Sequence, residues 1–228
     1  MRALLLVSCP IALWVITVIQ ALIMVLAWRR YAASRDKKKA ILYLLTSLVA
    51  LGLFYDALIL AQGGTVQSEA ALQPFSRLRF VFHGALIPLL FPICAYALNW
   101  GKKGKTAVWI FTGVLIALGI AEGFATELVP QHVAGVVRFT SGDGTPGWAK
   151  AVSGILSYGT VVPLILAGVV VWIRQKTPLL FLAGFLMFAF SALGPATGNF
   201  DLIFFISMFG EVCMVLCFLL YARKRENA

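Results

Sequence analysis

The sequence predicts an all-α polytopic membrane protein, a seven-transmembrane-helix bundle with its N-terminus outside and its C-terminus in the cytoplasm. Composition and charge placement lead to this fold class. Hydrophobic residues make up 61% of the 228 residues and charged residues only 12%, about half of the ~25% found in soluble domains. The basic residues are concentrated in alternate connections between apolar segments, which gives each segment a direction. The length is that of a single domain, residues 1–228.

Seven stretches are long enough to cross a bilayer core of ~30 Å, which requires ~20 apolar residues in a helix. They are approximately 3–28, 40–62, 79–100, 106–126, 151–173, 178–197 and 201–222, of which the sixth is the shortest. Pro88 and Pro92 predict a kink in the third span. In the fourth, Gly119 and Gly123 predict close approach of another helix. The two longer connections, after the second and fourth spans, carry turn residues and are expected to be loops.

The charge pattern orients the bundle. On one side lie 14 of the 19 basic residues: Arg29, Arg30, Arg35, Lys37, Lys38, Lys39, Lys102, Lys103, Lys105, Arg174, Lys176, Arg223, Lys224 and Arg225. The positive-inside rule places this side in the cytoplasm. The first span is followed at once by basic residues, which indicates an uncleaved anchor and not a signal peptide.

The expected surroundings are the lipid bilayer of the plasma membrane and, on the cytoplasmic face, anionic lipid headgroups. The net charge of +10 therefore indicates topology and not a nucleic-acid partner. The four cysteines lie in apolar segments without a CxxC pair, which argues against a disulfide framework or a zinc ribbon. The sequence predicts no cofactor and no metal, and it leaves oligomerisation open.

Ionisable residues inside the spans indicate a site, because such groups are costly in lipid, about 2.5–3.5 kcal/mol each, and usually face the bundle interior. Helix direction assigns six of them to the outer half of the membrane: Asp56, Arg79, His83, Glu122, Glu127 and Asp201. Glu211 is expected near the midplane, as a candidate to carry a proton. We therefore expect an outward-facing polar pocket that binds a small molecule or a lipid headgroup.

If the site is catalytic, His83 is the expected proton shuttle, because the ordinary pKa of imidazole, ~6.5, lies closest to neutrality. Asp56 would orient it and Glu122 would complete the set. Arg79 would hold an anionic group such as phosphate or carboxylate. Tyr55, Glu127 and Asp201 are further ligand-binding candidates. The same residues also suit structural roles, as ion pairs between helices or, for Asp201, as a helix N-cap.

Three function classes remain open on the sequence. The first is a sensor or binding protein, the second a membrane-embedded acid–base or metal-assisted lipid hydrolase, and the third a proton-coupled transporter or a subunit of one. The chain has only two histidines and no His-x-x-x-His pair, which argues against the zinc site of the seven-helix lipid hydrolases. The final span contains no lysine, which excludes a retinal Schiff base there.

Overall fold

The structure, a computed structural model, describes residues 2–38, 40–66, 68–196, 198 and 202–227, with the backbone alone for residues 2–8 and 195. Eight α-helices, one short 3-10 segment and one β-hairpin make up the described chain. The elements are α1 (Arg2–Ala33), α2 (Ile41–Gln62), α3 (Glu69–Leu86), a 3-10 segment (Ile87–Leu89), α4 (Leu90–Ala97), α5 (Lys102–Ala125), β1 (Leu128–Val133), β2 (Val136–Ser141), α6 (Gly147–Gln175), α7 (Leu179–Ala196) and α8 (Ile203–Glu226).

The chain is helical, as the composition predicted, and six helical segments have the length and hydropathy to cross a membrane. They are Cys9–Ala33, Ile41–Gln62, Glu69–Ala97, Lys102–Ala125, Gly147–Gln175 and Ile203–Glu226. The sixth expected span corresponds to α7, whose apolar part, Leu179–Gly194, is shorter.

The third span differs from its expected bounds at one end and confirms a break inside it. Helix α3 begins at Glu69, ten residues before the expected start, because the Ser68 side chain caps it by accepting a hydrogen bond from the Ala71 amide. The helix ends at Leu86, and the 3-10 segment that contains Pro88 separates it from α4. Pro92 lies in the first turn of α4, where its missing N–H would have no intrahelical partner.

The connection after α5 is a β-hairpin where the sequence suggested a loop. Strands β1 and β2 pair antiparallel, with Val133 opposite Val136. The two turn residues, Ala134 and Gly135, both have positive φ, 51° and 78°. That pair of angles is what a two-residue hairpin turn requires.

Glycines allow α3 and α5 to touch through their backbones. A Cβ added to Gly119 would lie 2.3 Å from the Gly84 carbonyl oxygen, and one added to Gly123 would lie 2.7 Å from the Val81 nitrogen. The close approach expected from the spacing of Gly119 and Gly123 is therefore confirmed.

Hydrogen bonds between helix ends define the two ends of the bundle. The Tyr43 hydroxyl donates to Glu226 over 2.7 Å, and Arg225 donates to Asn99 over 2.8 Å. The start of α2 therefore lies beside the ends of α4 and α8. We call this the basic end, and we call the opposite end, which carries residues 128–141, the hairpin end.

The Gly84–Gly119 contact gives a first prediction. We expect Gly119→Ala to lower the free energy of unfolding by about 1–3 kcal/mol, the range for overpacking, because the new methyl group forces α3 and α5 apart. Thermal unfolding of the purified protein measures it. Gly113→Ala is the matched control on the same helix, since its Cβ would meet nothing within 4 Å and alanine is the better helix former. Equal melting temperatures for both variants would contradict the proposed contact.

Candidate functional site

A layer of polar side chains crosses the bundle between two apolar clusters. The cluster toward the hairpin end includes Ile16, Ala57 and Met208, whereas the larger cluster toward the basic end includes Ile23, Leu53 and Met214. On α1, Gln20 lies between Ile16 and Ile23, and the same interval contains Asp56 on α2 and Glu211 on α8. These three side chains consequently share one level of the bundle.

Asp56 and Arg79 form an ion pair that joins α2 to α3. Arg79 Nε lies 3.4 Å from Asp56 Oδ1, and the two side chains are 11% and 15% exposed, respectively. Pairing offsets part of the cost of placing each charge away from water. The sequence led us to expect that basic and acidic groups from separate helices come together, and Asp56 and Arg79 do so.

Arg79 also connects this layer to the hairpin. Its Nη2 donates to the Phe139 carbonyl of β2 over 2.9 Å, and its guanidinium lies 5.0 Å from the centre of the Phe80 ring. A second bond, from the Val137 amide to the Gly63 carbonyl over 2.8 Å, fixes β2 to the end of α2. The guanidinium is therefore engaged by groups of the protein itself.

His83 and Glu211 line a cavity of about 490 Å³ in the middle of the bundle. Glu211 is 6% exposed, and within the described residues its Oε2 has no hydrogen-bond partner. Asp56 and Arg79 interact electrostatically with both His83 and Glu211, so the ion pair lies near the cavity. Buried polar atoms are normally hydrogen-bonded, so an orphaned carboxyl oxygen beside a cavity marks a place for a ligand or water.

Toward the basic end of the cavity, α6 and α7 are in close contact. Gly168 would place a Cβ 2.4 Å from Phe181 Cα, and Gly184 would place one 2.8 Å from Ile165. Further toward the hairpin end, residues 156–162 of α6 and 187–192 of α7 face each other across the cavity instead. Pro163 lies at this transition and removes one backbone hydrogen bond of α6.

The walls of the cavity are mainly apolar. Leu90, Leu156, Met187 and Ile203 are among the lining residues, together with several hydroxyl side chains. At its edge, Tyr158 is 71% exposed and Phe188 is 46% exposed. Because both side chains line the cavity and are exposed, the cavity reaches the outer surface of α6 and α7.

Glu122 lies apart from the cavity. It is buried between α5 and α6, where the Thr126 hydroxyl is 3.1 Å from its Oε1 and the Ser153 hydroxyl also bonds to it. Of the three residues proposed for catalysis, His83 alone lines the cavity, and Asp56 is paired with Arg79.

The remaining candidates have other surroundings. The Tyr55 hydroxyl donates to the Phe75 carbonyl over 3.3 Å. Glu127 organises the turn before α6, because its Oε2 accepts a 2.6 Å bond from the Gly144 amide. Asp201 lies outside the described residues. The second histidine, His132, does not line the cavity: its exposed side chain on β1 pairs with Glu69 over 2.8 Å.

The sequence did not single out one residue of the polar layer, Gln20, or the serines that line the cavity. Gln20 is fully buried, and neither polar atom of its side chain has a partner within the described part of the chain. Ser157, Ser191 and Ser207 line the cavity. Gln20 could have been found from the sequence, because it is a lone amide side chain in the first apolar span. Single serines are too common in membrane helices to indicate a site.

Among the residues that the structure describes, no group of three or more His, Cys, Asp or Glu side chains is placed to hold a metal ion. No protein-family model matches the sequence, and no curated protein matches it either.

The Asp56–Arg79–Phe139 connection gives a second prediction. We expect Arg79→Gln to speed hydrogen exchange of the backbone amides in 128–141 and to lower the free energy of unfolding by about 3 kcal/mol. That value is the lower end of the range for a broken buried pair, because both side chains keep some exposure. Exchange measured by mass spectrometry reports on the hairpin directly.

His132→Gln is the control for this prediction, because it removes the exposed contact between the same hairpin and α3. Exposed ion pairs contribute about 0–1 kcal/mol, so hairpin exchange should change little. If the two variants accelerated exchange equally, the buried connection would not be what holds the hairpin.

Proposed function

We propose that this protein is a membrane binding protein or sensor whose cavity receives a small amphiphile, with the polar group of that molecule at Glu211 and His83. The observation that carries the proposal is the orphaned Oε2 of Glu211, which is buried and yet adjoins a cavity of about 490 Å³. That volume falls within the ~300–1,000 Å³ of ordinary small-molecule sites.

The distribution of polar and apolar groups supports an amphiphile over a fully polar ligand. Glu211, His83 and Ser207 provide polar atoms on one side of the cavity. Leu156, Met187 and other apolar residues form most of the opposite walls, with the hydroxyl groups of α6 and α7 between them. A ligand with one polar group and an apolar body satisfies both surfaces. Apolar burial contributes about 25 cal/mol per Å² and would supply most of its affinity.

We further propose a seven-span bundle in the plasma membrane, with the hairpin end outside and the basic end in the cytoplasm. The support for this orientation is the concentration of Lys and Arg at one set of helix ends. In this arrangement α7 is the sixth of the seven spans, and the neighbouring helices α6 and α8 compensate for its shorter apolar length. The cavity then lies in the outer half of the membrane.

Photolabelling tests the binding proposal and gives a third prediction. A diazirine-bearing dodecanol is incubated with the full-length protein in phosphatidylcholine nanodiscs, irradiated, and its attachment sites are mapped by mass spectrometry. We expect labels in residues 156–162 and 187–192 that unlabelled dodecanol suppresses, because a specific cavity saturates whereas lipid-facing surface does not.

Two tryptophan variants sharpen this experiment. Ala192→Trp places a large ring at a cavity-lining position and should abolish the saturable label. Leu193→Trp is its matched control, since Leu193 is the adjacent residue and is 45% exposed. If unlabelled dodecanol does not suppress the labelling, or if Ala192→Trp leaves the labelling intact, the cavity does not bind this ligand.

The orientation gives a fourth prediction, tested on intact cells with a membrane-impermeant maleimide. We expect Asp143→Cys, at the exposed turn that follows the hairpin, to be labelled without permeabilisation. Ala33→Cys, at the exposed end of α1, should react only after permeabilisation. The unsubstituted protein sets the background, because its described cysteines are buried or half-buried. The reverse pattern of labelling would invert the proposed topology.

A further inference from the structure

Charge in and around the cavity narrows the class of ligand, and this inference rests on the proposed binding function. None of the described residues that line the cavity is Lys or Arg. The nearby guanidinium, that of Arg79, already pairs with Asp56 and donates to the Phe139 carbonyl. These two charges offset each other, so Glu211 is the one lining residue that can place an acidic charge in the cavity.

We propose that the cavity selects amphiphiles that carry a primary amine, and that these enter from the membrane between α6 and α7. An anionic amphiphile such as a fatty acid would bring its carboxylate next to Glu211 with no lining cation to offset the repulsion. An ammonium group instead supplies the hydrogen bond and the opposite charge that the buried carboxyl lacks.

The number of acceptors also matches an ammonium group, which has three N–H donors and no acceptor. Glu211 Oε2 is one acceptor in the cavity lining. The Ser207 hydroxyl is a second, because it donates its own proton to the Phe204 carbonyl over 3.1 Å and keeps lone pairs free. A ring nitrogen of His83 is the third when the imidazole is neutral. An alcohol has a single donor and would leave two of these acceptors without a partner.

Lateral entry follows from where the cavity is open. Tyr158 and Phe188 flank the opening on neighbouring helices and are both exposed. The tight Gly168–Phe181 contact closes the same seam toward the basic end. A chain dissolved in the bilayer can therefore slide its amine inward at the level of Tyr158 while its tail remains among the apolar side chains of α6 and α7.

A competition experiment tests this inference and is the fifth prediction. Dodecylamine, dodecanol and dodecanoate have tails of equal length, and each competes against the diazirine-bearing dodecanol in nanodiscs of neutral lipid. Concentrations are expressed per mole of lipid, which removes differences in partitioning. We expect dodecylamine to displace the label at about one tenth the concentration of dodecanol, a factor that corresponds to one charge-assisted hydrogen bond. Dodecanoate should be the weakest competitor.

Glu211→Gln should remove the advantage of the amine, so that dodecylamine and dodecanol compete at similar concentrations. Glu122→Gln is the matched control, because it makes the same change at a buried glutamate that does not line the cavity. We expect it to keep the preference for the amine. The ranking of the three competitors on the unsubstituted protein is decisive by itself if Glu211→Gln does not fold.

The outcomes separate this inference from the function on which it rests. Saturable labelling of 156–162 and 187–192 with dodecanol or dodecanoate as the best competitor would overturn amine selection and leave the binding proposal standing. No saturable labelling of these segments would overturn both. Labelling restricted to residues at the hairpin end, away from Tyr158, would refute entry from the membrane.

Discussion

The structure depends on how buried polar groups are compensated inside an apolar helical bundle. In the polar layer, Asp56 and Arg79 compensate each other across α2 and α3. Glu211 and Gln20 share that layer with side-chain atoms that have no partner among the described residues. An unpaired buried polar group costs about 1–3 kcal/mol, so such groups persist where something outside the chain satisfies them. The cavity beside Glu211 is where that compensation can occur.

The same ion pair joins the interior of the bundle to its surface. Arg79 contacts Asp56 at the level of the layer and the Phe139 carbonyl on the hairpin. His83 lies one turn further along α3 and is within electrostatic reach of Arg79. A ligand bound in the cavity as proposed would therefore have a short physical route to the hairpin end, which is a property that the proposed sensor needs.

Hydropathy predicted a helical chain with segments long and apolar enough to cross a membrane, of which the structure contains six, because length and apolarity depend only on position along a helix. Composition and charge predicted that these segments would be separated by short connections. They did not predict which way a helix is rotated. Successive residues on a helix point about 100° apart, so with Gly123 facing α3 the adjacent Glu122 is turned away, toward Ser153 of α6. The hairpin was missed because the glycines of 142–144 were the stronger turn signal, although Ala134–Gly135 forms the reversal.

The arrangement of apolar residues favours the proposed binding role over a proton-transport role. A proton carrier needs a polar route from the layer to both ends of the bundle. Below Glu211, toward the basic end, the larger cluster fills the interior with Leu53, Met214, Val215 and Phe218, each at most 2% exposed. Well-packed interiors of this kind exclude water, and opening one would require several helices to move apart. Met214 lines the cavity and also belongs to this cluster, so the cavity adjoins packed apolar residues toward the basic end. This packing supports the proposed binding role, in which a molecule enters, binds and leaves by the same path.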